Sequence, residues 1–219
     1  MFHSPNVLPL PVLHNRLDRA ARELISGADH PIDFSLPAGE PALLAPDSVS
    51  WRVFKNQPAL FVGGVAAVLL ELAEPRVRDG VWQNSSFRSA PLKRLQRTGI
   101  AAMVTVYGAR SQAESMIAGV VRMHERVKGR TTEGEPYEAS DPLLLDWVQA
   151  TASYGFLMAY HTYATALSQE ERDRFYVEAR ATAPLYGATG APASEAELEA
   201  LFQRMEARAS LPPPSWRSS

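Results

Sequence analysis

The chain contains no cysteine, and this absence removes several kinds of chemistry at once. Disulfides, thiolate-bound zinc, iron–sulfur clusters and a cysteine nucleophile are all excluded. Any metal held by side chains must therefore use histidine or carboxylate ligands. The phosphate-binding glycine loop, the H-E-x-x-H zinc motif and a supported Ser–His–Asp pattern are also missing, which disfavours nucleotide-dependent and hydrolytic enzymes.

The chain also lacks an excess of positive or negative charge, and it has no long apolar run. The 22 Lys and Arg against 24 Asp and Glu give a formal charge of −2, so we expect no nucleic-acid partner. The longest apolar run, residues 59–70, is too short for a membrane span. The first residues do not form a secretory signal. These absences predict a cytoplasmic protein.

Over most of the chain, apolar residues recur at the spacing of an α-helix. With 219 residues, 46% apolar, it suits one globular domain. Apolar spacing and capping residues predict an all-α single domain of about seven to eight helices. We expect a Pro-rich N-terminal arm over residues 1–46 with one helix, a helical domain over 47–209 and a flexible tail over 210–219. The predicted helices cover residues 12–25, 58–72, 92–107, 111–129, 142–167, 169–186 and 194–209. The strongly apolar helix 58–72 is expected to be central and to be stopped by Pro75. The predicted helix caps are Ser48, Ser111, Asp141 and Ser168.

Five histidines are the candidate metal ligands. Three of them, His3, His14 and His30, lie in the arm, and two lie in the predicted core. His161 has no partner at a metal-binding spacing, which favours a structural role. His124 lies beside the apolar face of its helix, one turn before the predicted end. It is either a structural histidine or the single neutral imidazole that a haem iron requires.

A polar ridge precedes His124 by about thirty residues in the chain. Arg94, Arg97 and Thr98 are spaced i, i+3 and i+4, so on a helix they share one face. Two cations there would suit an anion such as a haem propionate, or the ridge is a solvated basic face. Glu71 and Glu74 have a spacing that permits joint metal coordination, although exposure at the helix end also explains Glu74.

The order of short motifs along the chain resembles one known family. The segments are WRV (51–53), GGVAAVLLELAEP (63–75), SSF (85–87), PLKRLQRT (91–98), MHERVKG (123–129), DPLLLDWV (141–148) and YVEA (176–179). Together they are similar to the catalytic domain shared by rubber oxygenase and the MpaB-type oxygenases, over about residues 46–205.

The resemblance implies a site. It makes His124 the axial ligand of haem b. It also assigns Arg94 and Thr98 to shaping the oxygen side or anchoring the cofactor. Arg97 falls where rubber oxygenase has a lysine. The expected partners are dioxygen and an apolar, unsaturated or isoprenoid substrate. Homo-oligomerisation is a further possibility, since a partner subunit could complete the wall of the pocket.

Three departures from the family pattern keep other functions open. Glu74, Asn84 and Gln149 stand where many relatives have histidine. If those histidines support activity, the reaction here changes or is lost. The first hypothesis is therefore a haem b-dependent oxygenase, and the second is a haem-binding sensor, carrier or degenerate scaffold of the same fold. A third is a helical interaction module without a cofactor, in which His124 caps its helix.

Overall fold

A computed structural model of the chain describes residues 33–34 and 36–209. This part confirms the all-α class, because it contains eight α-helices and one short hairpin. The helices are α1 (Val49–Phe54), α2 (Gln57–Glu71), α3 (Pro75–Asn84), α4 (Pro91–Tyr107), α5 (Arg110–His124), α6 (Pro142–Tyr163), α7 (Gln169–Thr182) and α8 (Glu195–Ala209), and the strands are β1 (Lys128–Arg130) and β2 (Pro136–Glu138). The helix predicted at 12–25 and the predicted tail lie outside the described residues.

Helices α2 and α6 form the centre of the fold. Their backbones touch at two glycines: a Cβ built on Gly63 would lie 2.7 Å from the carbonyl oxygen of Gly155. Farther along, the indole Nε1 of Trp147 donates a hydrogen bond of 3.1 Å to the carbonyl oxygen of Glu71. Only glycine permits so close an approach, so the central position predicted for the apolar helix is confirmed.

The remaining helices pack around this pair. Buried side chains from α1, α7 and α8, among them Val53, Phe175 and Leu201, join one continuous core with α2 and α6. The six-residue helix α1 is held by α7, because the Glu178 carboxylate accepts hydrogen bonds from the backbone N–H groups of Val49 and Ser50. A short helix thus receives its N-terminal acceptor from a distant element.

Several helix ends match the predictions because their caps are local. Ser48 accepts from the N–H of Trp51, and Asp141 accepts from the N–H of Leu143. Ser168 and Glu171 form the reciprocal capping box at α7. Each of these bonds joins residues two or three positions apart, so the sequence alone contains both partners.

Two predictions about α5 were wrong. Ser111 is not its cap: the helix begins at Arg110, and the Glu40 carboxylate accepts from both the N–H and the hydroxyl of Ser111. The helix also ends at His124 rather than near Gly129. The residues that follow form β1, which pairs antiparallel with β2 and places Gly129 opposite Tyr137. A long-range partner decided each of these points.

Helix α3 was not predicted. Pro75 was interpreted as the stop of the preceding helix, but it occupies the first position of a new helix whose cap is Glu74. Proline fits the first turn of a helix because its missing N–H would have no intrahelical partner there. Within the described residues no single helix is long and apolar enough to cross a bilayer, although α2 and α3, bent by 109°, meet the length and composition criteria as a pair.

Candidate functional site

His124 is the last residue of α5 and is half-buried. Its Nδ1 atom is buried and has no hydrogen-bond partner in the described part of the chain. Burial lowers the pKa of His124, since the imidazolium is the charged form and loses solvation. The side chain is therefore a neutral imidazole at neutral pH, with a nitrogen that nothing in the described fold uses.

The hairpin that follows His124 fixes the end of α5. The His124 carbonyl oxygen accepts from the N–H of Val127 at 2.9 Å, one residue before β1 begins. The hairpin is in turn fastened to α3 through the Tyr137 hydroxyl, which donates to Gln83 and accepts from Asn84, each at 3.0 Å. His124 thus lies between α5 and a hairpin that is hydrogen-bonded to α3.

A second link joins the same hairpin to α3. The Asp79 carboxylate accepts from the N–H of Thr132 at 2.6 Å and from its hydroxyl at 3.1 Å. These hydrogen bonds stabilise the ionised form and lower the pKa of Asp79. With the Tyr137 hydroxyl, they hold the hairpin that follows His124 against α3 at two separate points.

Arg94 is paired with Glu71 rather than directed at His124. Its Nη2 lies 3.3 Å from Glu71 Oε1, and its guanidinium carbon lies 5.7 Å from the centre of the Phe87 ring. Burial raises the pKa of Glu71, and the charge of Arg94 acts in the opposite direction. By its spacing in the sequence Glu71 is a candidate metal ligand, whereas the structure places this carboxylate of an apolar helix in a buried ion pair.

Arg97 and Thr98 lie on the exposed side of α4. Arg97 Nη2 donates to the Ser86 hydroxyl at 3.1 Å, and the Thr98 hydroxyl donates to the Arg94 carbonyl oxygen one turn earlier. No hydrogen bond or ion pair among the described residues joins Arg94, Arg97 or Thr98 to His124. Their shared place on α4 matches the prediction, and their assigned roles stay predictions.

The three residues in place of family histidines each make a structural contact. Glu74 is buried, contrary to the exposure we considered, and its carboxylate lies 2.6 Å from Nε of buried Arg76. Asn84 donates to the Tyr137 hydroxyl, and Gln149 donates to the Ser153 hydroxyl at 3.4 Å. The Glu71–Glu74 metal pair is therefore not formed, because each carboxylate faces an arginine.

The second core histidine has a structural role. His161 Nδ1 accepts a hydrogen bond of 2.9 Å from the N–H of Leu167, just after the end of α6. Across the described residues no group of three His, Asp or Glu side chains gathers at a spacing suited to a metal ion. His124 is thus the core histidine whose buried nitrogen has no partner.

A surface cleft of about 550 Å³ lies between α1 and α7. It contains none of the predicted site residues. Two of its cations are paired with carboxylates, Arg52 with Glu171 at 2.6 Å and Arg174 with Glu178 at 3.1 Å. The Lys55 ammonium lies 5.7 Å from the centre of the Trp51 ring. The lining residues are Pro46, Asp47, Ser48, Val49, Arg52, Lys55, Glu170, Glu171 and Arg174.

Comparison with known proteins identifies the family. The chain belongs to the family of ER-bound oxygenase mpaB/B' and rubber oxygenase catalytic domains, whose sequence pattern matches residues 51–218. No curated protein and no solved structure gives a significant match. The resemblance read from the motif order is confirmed. Membership supports an oxygenase in general, with dioxygen and an organic compound as its reactants.

Proposed function

We propose that this protein is a haem b-dependent oxygenase that holds the iron through His124 and acts with dioxygen on an apolar, unsaturated or isoprenoid substrate. The observation that carries the proposal is the buried, unpartnered Nδ1 of His124. A buried polar atom without a partner is unfavourable. Coordination to a metal uses the same neutral form of the ring that burial already favours.

The donor set fits haem. The porphyrin supplies four nitrogens, so one neutral imidazole from the protein is sufficient. When bound, haem would supply an iron at which dioxygen is activated, and the protein would supply orientation and exclusion of water. The hairpin held against α3 would fix the end of α5 that carries His124, and a ligand needs a fixed position.

The ridge on α4 would contribute cations and a hydroxyl. Arg97 has no carboxylate partner in the described part of the chain and can donate to an anion such as a propionate. Arg94 and Thr98 would shape the oxygen side or hold the second propionate, with Glu71 keeping Arg94 in place. An arginine guanidinium donates hydrogen bonds and does not act as a base, so we assign these residues to positioning and charge stabilisation.

The test is the visible absorption spectrum of the full chain expressed with added haem. We expect an intense Soret band in the wild type, its loss or shift in His124→Ala, and recovery of the wild-type spectrum when free imidazole is added to the variant. His161→Asn is the matched control, because its side-chain oxygen can replace the acceptor for the N–H of Leu167. A folded wild type without the band would refute haem binding. A Soret band unchanged in His124→Ala would refute the assignment of His124 as the iron ligand.

A second candidate is a haem-binding sensor or carrier without turnover. The contacts of Glu74, Asn84 and Gln149 favour it, because side chains at these three positions serve packing instead of supplying imidazoles. Oxygen uptake and carbonyl products from an added polyisoprenoid separate the two candidates. An oxygenase consumes dioxygen and releases cleaved products, whereas a carrier keeps the Soret band and forms none.

A further inference from the structure

Aromatic, aliphatic and basic side chains lie close together in the chain at the end of α3, in the connection to α4 and in the first turn of α4. The Trp82 ring is 49% exposed and its centre lies 5.9 Å from that of Phe87. The Arg88 guanidinium carbon stands 5.4 Å from the Trp82 ring. In the first turn of α4, Leu92 is 57% exposed and Lys93 is exposed beside it. We call these five residues the Trp82 surface.

The surroundings of this surface are strongly basic, although the whole chain carries a charge of −2. Residues 76–98 contain six basic side chains and one acidic side chain, Asp79. Three of the six are in ion pairs with carboxylates. The three without an ion pair in the described part of the chain are Arg88, Lys93 and Arg97. The surface therefore presents uncompensated positive charge around exposed apolar groups.

We propose that the Trp82 surface docks peripherally on an anionic lipid bilayer. Tryptophan favours the headgroup level of a bilayer, where its ring contacts apolar chains and its N–H stays hydrated. Lysine and arginine next to it are attracted by anionic headgroups, and an exposed leucine adds apolar burial. Trp82 and Leu92 would enter the interface, and Arg88 and Lys93 would contact lipid phosphates.

Charge decides between this partner and a second copy of the chain. A symmetric dimer formed through the same surface would place Arg88 and Lys93 close to the same cations of its partner, and like charges in contact oppose association. Nucleic acid would satisfy the cations, but it gives no apolar environment to the exposed Leu92 side chain. The inference does not depend on haem.

The experiment is cosedimentation of the full-length protein with vesicles. One set contains phosphatidylcholine alone, and in the other about a third of the lipid is phosphatidylserine. We expect binding only to the anionic vesicles, weakened by added salt because the attraction is screened. The Arg88→Gln/Lys93→Gln double variant should bind about tenfold more weakly. Trp82→Gln/Leu92→Gln should also bind less, with helix content checked by circular dichroism.

The matched control is Lys55→Gln/Val177→Gln. It removes one exposed cation just after α1 and one exposed apolar side chain from α7, both outside the Trp82 surface, and should bind like the wild type. Three results would overturn the proposal: no binding to anionic vesicles, equal binding to both vesicle types, or equal binding by the wild type and the charge variant. Dimerisation that the Trp82-surface substitutions abolish would overturn the proposal and assign the surface to a second copy of the chain. Binding of an oligonucleotide that the same substitutions abolish, without vesicle binding, would assign it to nucleic acid.

Discussion

Arg94 and Glu71 form an ion pair between α4 and α2, with Arg94 Nη2 3.3 Å from Glu71 Oε1. Their side chains are only 17% and 10% exposed, so both charges depend on each other for compensation. The pair joins the ridge that carries Arg97 and Thr98 to the central helix of the fold. Any contact of Arg94 with a cofactor is therefore made by a side chain that Glu71 already orients.

Replacing Arg94 should make stability depend on pH in a defined direction. In Arg94→Met the buried Glu71 carboxylate loses its cation, and we expect a loss of about 3 kcal/mol in the free energy of unfolding near neutral pH. The pKa of Glu71, already raised by burial, rises further. The folded state then binds a proton more readily than the unfolded state, so the loss shrinks as pH falls.

Denaturant unfolding at neutral pH and at about pH 5 measures this effect. The control is Arg94→Met combined with Glu71→Gln, which has no carboxylate to protonate and should show little additional pH dependence. An equal loss for the single variant at both pH values would contradict the assignment of the effect to Glu71.

The contact of α2 with α6 predicts opposite effects at adjacent glycines. A Cβ on Gly63 would lie 2.7 Å from the Gly155 carbonyl oxygen, so Gly63→Ala should lower the free energy of unfolding by about 2 kcal/mol or more. A Cβ on Gly64 meets its nearest atoms at 3.6 and 3.7 Å, which is ordinary contact. Gly64→Ala should raise stability by up to about 1 kcal/mol, because alanine favours helix. Similar values for the two variants, from thermal or denaturant unfolding, would refute the close crossing.

Buried Tyr176 and half-buried Tyr107 should respond differently to loss of the hydroxyl. The Tyr176 hydroxyl has no hydrogen-bond partner among the described residues, so Tyr176→Phe should leave stability unchanged or raise it. The Tyr107 hydroxyl donates to the Trp51 carbonyl oxygen at 2.8 Å. Tyr107→Phe should therefore cost about 1 kcal/mol in the free energy of unfolding. Chemical denaturation of both variants checks the order, and a larger loss for Tyr176→Phe would reverse it.

His124 should make the haem-free protein sensitive to mild acid. Burial lowers its pKa in the folded state, so below the unfolded-state pKa the unfolded chain binds more protons. Stability attributable to this residue is then intact above that value and declines as pH falls. We expect the free energy of unfolding of the wild type to fall more than that of His124→Gln between neutral pH and about pH 5. Parallel pH profiles for the two proteins would show that His124 is not buried as a neutral ring.

The candidate site was predictable only in part. His124 and the Arg94, Arg97 and Thr98 ridge were selected from spacing and from the family resemblance, and the structure places each on its expected helix. The pairing of Arg94 with Glu71 was not foreseen. Its two residues are 23 positions apart, and no local pattern states which of several arginines will face a buried carboxylate.

The sequence by itself determined the helical class and those helix ends whose caps are nearby, such as Ser168 with Glu171 and Asp141 with Leu143. These depend on hydrogen bonds within one turn, so both partners are adjacent in the chain. Tertiary structure alone decided that α5 ends at His124 and that Glu40 binds its first turn. Those outcomes depend on groups that are distant in the chain and come together only when the helices pack. A short segment contains one partner of each contact and therefore cannot predict it.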